Sequence, residues 1–249
     1  MLLQTVKNYQ FINEKAVPGG KVAGTSASPR RLIFDIPLDK AASISVLDIG
    51  FGSGSMGRVI KDCSETQHWA IDGIDGFAPN CFNPRLVNDR LYRNVWHGLA
   101  QDLPAATLSR YNIICLLDVI EHLTADAAIQ LMKHLFSNMR EDAFLFVSTP
   151  LWFYPQDNQQ DGDLEAHLIG VPATSMMGLM PLMYAVSPPL VGGFVYQKDS
   201  QHYIDLFCPV TDRAFTYERG MNVARAINCH TSPGVTYRLN REEWPEAYR

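Results

Sequence analysis

The sequence predicts an α/β fold built on a doubly wound, mainly parallel sheet, and three features carry that prediction. An apolar strand pattern at residues 44–49 runs directly into Gly50-Phe51-Gly52-Ser53-Gly54-Ser55-Met56-Gly57, a glycine-dense turn, before Val59-Ile60 become apolar again. Short apolar runs then alternate with helical patterns as far as Pro150, the arrangement of successive βαβ units. One run, residues 111–118, is apolar at nearly every position, as a strand covered on both faces must be.

Taken in order, residues 1–43 form an N-terminal extension. Pro18-Gly19-Gly20 and residues 24–29 read as loop, the basic pair Arg30-Arg31 follows, and a short helix fits within 32–42. After the glycine turn a first helix is expected over 56–63, and a second strand over 68–76 with Asp72 and Asp75 near its end. A third strand fits 94–99, followed by Gln101-Asp102-Leu103-Pro104, and a fourth fits 111–118. Thr124 then caps a helix reaching about Met139, with Ile129, Leu131, Met132, Leu135, Phe136 and Met139 on one broad face. Residues 143–149 make a fifth strand, closed by Pro150, and the core is set at 44–150.

Beyond Pro150 the regularity fails. Trp152, Phe153, Tyr154 and Pro155 form an aromatic loop, a polar run follows over 156–163, and residues 166–197 contain no Asp, Glu, Lys or Arg. Pro172, Pro181, Pro188 and Pro189 interrupt any continuous helix there, so stable membrane insertion is not expected. The span 151–200 reads as an apolar C-terminal insertion or lid over the substrate pocket, with a homodimer interface and membrane contact as the alternatives for 166–197. Strands at 202–207 and 235–239 are expected to complete the sheet within 201–249.

Composition narrows the class. Of 249 residues, 47% are hydrophobic and 19% charged, which supplies a substantial core. A net charge of −5 argues against a nucleic-acid acceptor. Five cysteines with no Cys-x-x-Cys spacing read as free thiols in a reducing compartment, and the N-terminus lacks a signal-peptide pattern. A cytoplasmic location is expected.

Two cofactor readings compete for the turn. Gly52-Ser53-Gly54-Ser55-Met56-Gly57 fits the dinucleotide pattern G-x-G-x-x-G, with Asp75 at a suitable distance. In the other phase Asp48 precedes Gly50, Gly52 and Gly54 by a fixed step. A carboxylate there would repel a pyrophosphate, yet it suits S-adenosyl-L-methionine (SAM), which carries a sulfonium and an ammonium group.

The segment Val46-Leu47-Asp48-Ile49-Gly50-Phe51-Gly52-Ser53-Gly54 resembles the first motif of the class I SAM-dependent methyltransferases. Gly73-Ile74-Asp75 resembles their acidic second-strand motif, and Leu117-Asp118-Val119-Ile120-Glu121-His122-Leu123 resembles a fourth-strand signature of one large branch. The three stand in the family's order over 44–150, and the resemblance implies a Rossmann-like methyltransferase fold with SAM as cofactor. By position it implies that Asp48, Gly50, Gly52 and Gly54 line the methionine end, that Asp75 holds the ribose, and that Gly76 and Phe77 lie beside the adenosine. Asp118 would lie near the transferred methyl. Where the family often has an acidic adenine contact after Gly98, this chain has Leu99, leaving Gln101 or Asp102 for that role.

Plainer roles compete at several of these positions. Asp102 also suits a loop cap, Phe77 a core position, His122 a structural one, and Asp72 a solvated strand end. On the acceptor side, Ser148-Thr149-Pro150 and Glu165-Ala166-His167 resemble features of the same branch. His167 is the candidate catalytic base, with a loop-fixing role as the alternative, and Asp118 is the second catalytic candidate. No metal is expected, because Asp161, Asp163, Glu165 and His167 read equally well as a solvated loop. The function implied is methyl transfer to O or N of a small-molecule or saccharide-type acceptor. Its rivals are a SAM-binding scaffold without catalysis and an NAD-dependent oxidoreductase.

Overall fold

The apolar runs pair into one eight-stranded sheet. Its strands are β1 (Gln10–Phe11), β2 (Ser45–Ile49), β3 (Ala70–Asp75), β4 (Asn94–His97), β5 (Ile113–Leu117), β6 (Phe144–Pro150), β7 (Met183–Ser187) and β8 (Val191–Tyr196). The computed structural model describes residues 10–11, 28–158, 162–187, 190–213, 217–220 and 222. Strand order is β1-β4-β3-β2-β5-β6-β8-β7. The five central strands are parallel, whereas β1 on β4, β8 on β6 and β7 on β8 are antiparallel. The order reverses between β2 and β5, and the crevice above such a reversal is where open α/β sheets bind ligands.

Helices α1 (Ser55–Lys61), α2 (Ala78–Cys81), α3 (Pro84–Asn88), α4 (Ala105–Leu108), α5 (Ala125–Asn138) and α6 (Ala173–Gly178) connect the strands. Thr124 caps α5, its hydroxyl accepting from the Ala127 N–H. The apolar face of α5 packs Leu131, Met132, Leu135 and Phe136 into one core with Leu47, Ile114 and Leu145. On the opposite face, Met56 and Ile60 of α1 join Leu32 and Ile33, from a short 3₁₀ helix at Arg30–Asp35, in a second core. Both faces are therefore covered, and all five residues of β5 are buried.

Three expectations change. The uncharged segment is apolar chiefly because it is sheet edge and core: Met183–Ser187 and Val191–Tyr196 pair as β7 and β8, and Val191–Tyr196 is buried throughout. Residues 202–207 are not a strand. They belong to a 3₁₀ helix, Lys198–Leu206, because Ile204 and Phe207 recur three residues apart against the core while Tyr203 and Leu206 stay exposed. Asp72 is not a solvated strand end. It is fully buried in β3, where it takes two bonds from the Arg93 guanidinium at 2.9 and 2.6 Å and one each from Asn94 and Tyr111. The expected strand at 235–239 lies outside the described residues, as do Asp161 and Cys229. The four described cysteines are free thiols.

A buried phenol holds the glycine turn against the sheet. Tyr92 donates from its hydroxyl to Asp48 Oδ2 at 2.6 Å and accepts from the Gly57 N–H at 3.3 Å. That N–H belongs to the first turn of α1, where the helix offers no carbonyl partner. Gly57 is needed because of the same ring: a Cβ there would lie 2.8 Å from Tyr92 Cε2. Gly57 is thus a helix residue kept small by packing. Tyr92→Phe orphans both the Asp48 carboxyl and the Gly57 N–H, and urea unfolding is expected to show a loss of about 1–3 kcal/mol.

Candidate active site

The glycine turn, the ends of β3 and β5, and the loop after β6 surround a cavity of ≈ 550 Å³. Gly50, Gly52 and Gly54 all have left-handed backbones, with φ of 68°, 52° and 79°, a region that favours glycine. This folds the turn back onto β3, where the Gly52 N–H donates to Asp75 Oδ2 at 2.8 Å. The Phe77 N–H donates to Asp75 Oδ1 at 2.8 Å, so the carboxylate is fixed in the cavity wall. Burial raises the Asp75 carboxyl, against the smaller opposing pull of the two backbone donors.

The β5 side supplies more carboxylates. Asp118 takes a left-handed backbone, φ 55°, a conformation that Asp tolerates better than most residues. Its Oδ1 accepts from the Ser148 hydroxyl at 2.8 Å, Ser28 donates to Ser148 at 2.8 Å, and the Arg30 guanidinium lies 4.0 Å from Oδ2. The 3₁₀ turn Ile120–His122 then brings Glu121 and His122 to the cavity wall. Glu121 Oε2 accepts from Thr149 Oγ1 at 3.1 Å, while Oε1 is buried without a hydrogen-bond partner. Burial first, and the nearby Asp118 charge second, raise the Glu121 carboxyl well above the usual range.

The loop after β6 closes the far side through Trp152, Tyr154, Gln156, Leu164, Glu165 and His167. His167 Nδ1 bonds the Tyr154 carbonyl at 2.6 Å, and His122 Nδ1 bonds the Ala166 carbonyl at 3.2 Å. A carbonyl only accepts, so each Nδ1 carries the proton and each Nε2 keeps the lone pair. The rings meet edge to face at 4.6 Å. Burial lowers both histidines, His122 to about 4 with a further push from His167. Both are neutral at pH 7.

Of the sequence candidates, Gly50, Gly52, Asp75, Gly76, Phe77, Asp118 and His167 line the cavity. Asp48, Gly54 and Asp102 do not. Asp48 is buried behind the turn on Tyr92, Gly54 packs against Leu86 and Tyr92, and Asp102 is exposed while its neighbour Gln101 faces the cavity. The electrostatic argument made for Asp48 therefore passes to other residues. Asp75, Asp118, Glu121 and Glu165 face Arg30 in the lining, a balance that favours a cationic ligand over a pyrophosphate. Sequence reading missed Arg30, Tyr92 and the meeting of Glu121, His122 and His167. The only hints were the basic pair at Arg30-Arg31 and the adjacent Glu121-His122.

Fold and cavity together define an α/β enzyme with a nucleoside-type cofactor. The model of a methyltransferase domain family matches residues 25–176, well over half of the chain, and the chain belongs to that family. It is a class I SAM-dependent methyltransferase, and its cofactor is SAM. No curated protein matches the sequence. Among solved structures the chain is similar to a Pyrococcus horikoshii protein, 12% identical over 67% of this chain and 85% of that one, with a TM-score of 0.48. It is similar to PigF solved with SAH, at 18% identity, 69% and 61% coverage and a TM-score of 0.48. A third is an O-methyltransferase family protein from Burkholderia thailandensis, at 13% identity, 68% and 55% coverage and a TM-score of 0.47.

The residues present fit the cofactor. Asn80 Oδ1 and Trp152 Nε1 are buried polar atoms without partners, and both residues line the cavity. Such orphans call for a ligand or water.

Asp48 also makes stability depend on pH. Burial raises its carboxyl from an ordinary 3.8 to about 7, against the Tyr92 hydrogen bond. Between those values the folded chain holds a proton that the unfolded chain has released, so this contribution to stability falls as pH rises through the window and is constant above it. His122 acts in the opposite direction between about 4 and 6.5, so the comparison must be made against a variant. Asp48→Asn is expected to flatten the decline by up to roughly 2.5 kcal/mol, read from urea unfolding at pH 5 and pH 7.5. An unchanged profile would contradict a buried protonated Asp48.

Proposed function

We propose that this enzyme transfers the SAM methyl group to an oxygen or nitrogen of a small-molecule or saccharide-type acceptor, in the space between Asp118 and the His167 loop. The observation that carries this reading is the pair of neutral histidines at the cavity wall, each with Nδ1 held by a backbone carbonyl. The bound cofactor supplies the electrophilic methyl; positioning and proton handling fall to the chain.

In this reading Asp75 receives the ribose hydroxyls, and Gly76, Phe77 and Gln101 flank the adenosine. Gly50 and Gly52 give the backbone approach to the methionine end, with Gly54 and Asp48 supporting the turn from behind. Asp102 contributes through the Gln101 turn instead of by contact. Arg30 is the guanidinium in the lining and pairs with the methionine carboxylate, while Asp118 faces the methyl-bearing end. His167 Nε2 takes the proton of an acceptor hydroxyl in the metal-free protein. A saccharide-type acceptor is supported by the polar Gln156, Glu165 and His167 opposite the Trp152 and Tyr154 rings.

The net charge of −5 supports a small acceptor over nucleic acid. A cytoplasmic location is supported by the free thiols, and no described helix is long and apolar enough to cross a membrane. A homodimer through 166–197 is supported by β7, which lies at the sheet edge.

Methyl-labelled SAM incubated with panels of hydroxylated and amino small molecules, and with RNA, is expected to label the small molecules alone. Against the best acceptor, His167→Ala should lower kcat by about 10²-fold or more with SAH affinity retained; unchanged turnover would remove the base role. Arg30→Ala should weaken SAH binding by roughly 10-fold or more, the value of a charged hydrogen bond, in a calorimetric titration.

A further inference from the structure

We propose that Glu121, His122 and His167 form a binding site for a divalent cation of the zinc or manganese type. One carboxylate oxygen and one ring nitrogen from each histidine lie within 4.8 Å of one another. These residues come from two separate segments, the turn after β5 and the loop after β6, and the cavity opens beside all three.

The donor chemistry suits such an ion. Two neutral imidazoles and a carboxylate are borderline ligands, fit for zinc, manganese or iron and poor for calcium or magnesium. Three protein ligands leave a further position open for water or substrate, as catalytic zinc sites do. Bonds of about 2.1 Å in tetrahedral array put donors about 3.4 Å apart. The three atoms therefore need to close by about 1.4 Å at most, within the reach of side-chain torsions.

The surroundings already have the form of a ligand cage. His122 Nδ1 bonds the Ala166 carbonyl and His167 Nδ1 the Tyr154 carbonyl, leaving Nε2 of each with the lone pair. Thr149 holds Glu121 Oε2. Outer hydrogen bonds of this kind fix the tautomer and orientation of metal ligands. The independent observation is Glu121 Oε1, which is buried and has no hydrogen-bond partner. Protonation does not remove the deficit. With the proton on Oε2, Thr149 becomes the acceptor and Oε1 still lacks a donor; with the proton on Oε1, that O–H lacks an acceptor. A cation satisfies it in one step.

The site as such is independent of the acceptor. Its role as a Lewis acid for an acceptor oxygen rests on the methyl-transfer reading, and in the loaded protein His167 serves as ligand in place of free base.

The test uses the full chain stripped with a chelator and dialysed against Zn²⁺, with SAH affinity measured in parallel. One Zn²⁺ per chain is expected, weakened at least 100-fold by Glu121→Gln and by His167→Asn. Absence of saturable Zn²⁺ binding, or binding that neither substitution weakens, overturns the proposal. Should either variant fail to fold, ring-¹⁵N spectra of the unsubstituted protein decide. Zn²⁺ should move two of the seven histidines to metal-bound shifts, and movement of none overturns the site. Zn²⁺ binding intact with no SAH binding would defeat the methyltransferase reading and leave the metal site standing.

Discussion

The active site depends on a hydrogen bond that does not touch the cavity. Tyr92 bonds Asp48 and Gly57 through one hydroxyl and sets its ring against Gly54, Gly57, Gly73 and Phe51. It thereby ties the end of β2, the left-handed turn and the start of α1 into one unit. Without that constraint a turn with left-handed glycines at 50, 52 and 54 would be costly to order, since glycine loses the most conformational entropy on ordering. Asp48 belongs to this support. Burial raises its carboxyl to about 7, and its partner is Tyr92 behind the turn, outside the cavity lining, so it acts as a structural pin.

Charge selectivity is instead distributed over the cavity wall. Asp75 is fixed by backbone donors, Asp118 by Ser148, and Glu121 by Thr149, with Arg30 reaching in from the N-terminal 3₁₀ helix. Asp75 ends β3, Asp118 and Glu121 follow β5, and the Ser148 and Thr149 donors lie on β6, so the wall exists only once β3, β5 and β6 are in register. Burial then raises these carboxyls and lowers His122 and His167. A cationic ligand would pull the carboxyls back toward ionisation, which couples ligand binding to proton release.

The central sheet could be read from sequence because its signals are local. The run Ile113–Leu117 is apolar throughout, and the motifs at Asp48, Asp75 and Asp118 each sit on one strand end. What could not be read is set by distant partners. Val191–Tyr196 contains two glycines and no polar alternation, so its place beside β6 depends on a neighbour more than forty residues earlier. Residues 202–207 carry enough Tyr, Ile, Leu and Phe to suggest a strand, yet only Ile204 and Phe207 have core to pack against. Tyr92 carries no motif, and its meeting with Asp48 spans 44 positions. Glu121 and His122 are adjacent in the sequence, but His167 meets them from 45 positions further on, held there by the Tyr154 carbonyl. The sequence order also placed Asp48 at the cavity mouth, whereas strand pleating turns it inward onto Tyr92.

Everything ascribed to the cavity turns on which cofactor the chain accepts. Isothermal titration of the 249-residue chain with S-adenosylhomocysteine and, separately, with NAD addresses this. The carboxylate-lined cavity predicts one S-adenosylhomocysteine per chain in the micromolar range and no heat from NAD. Saturable NAD binding with no response to S-adenosylhomocysteine would contradict it.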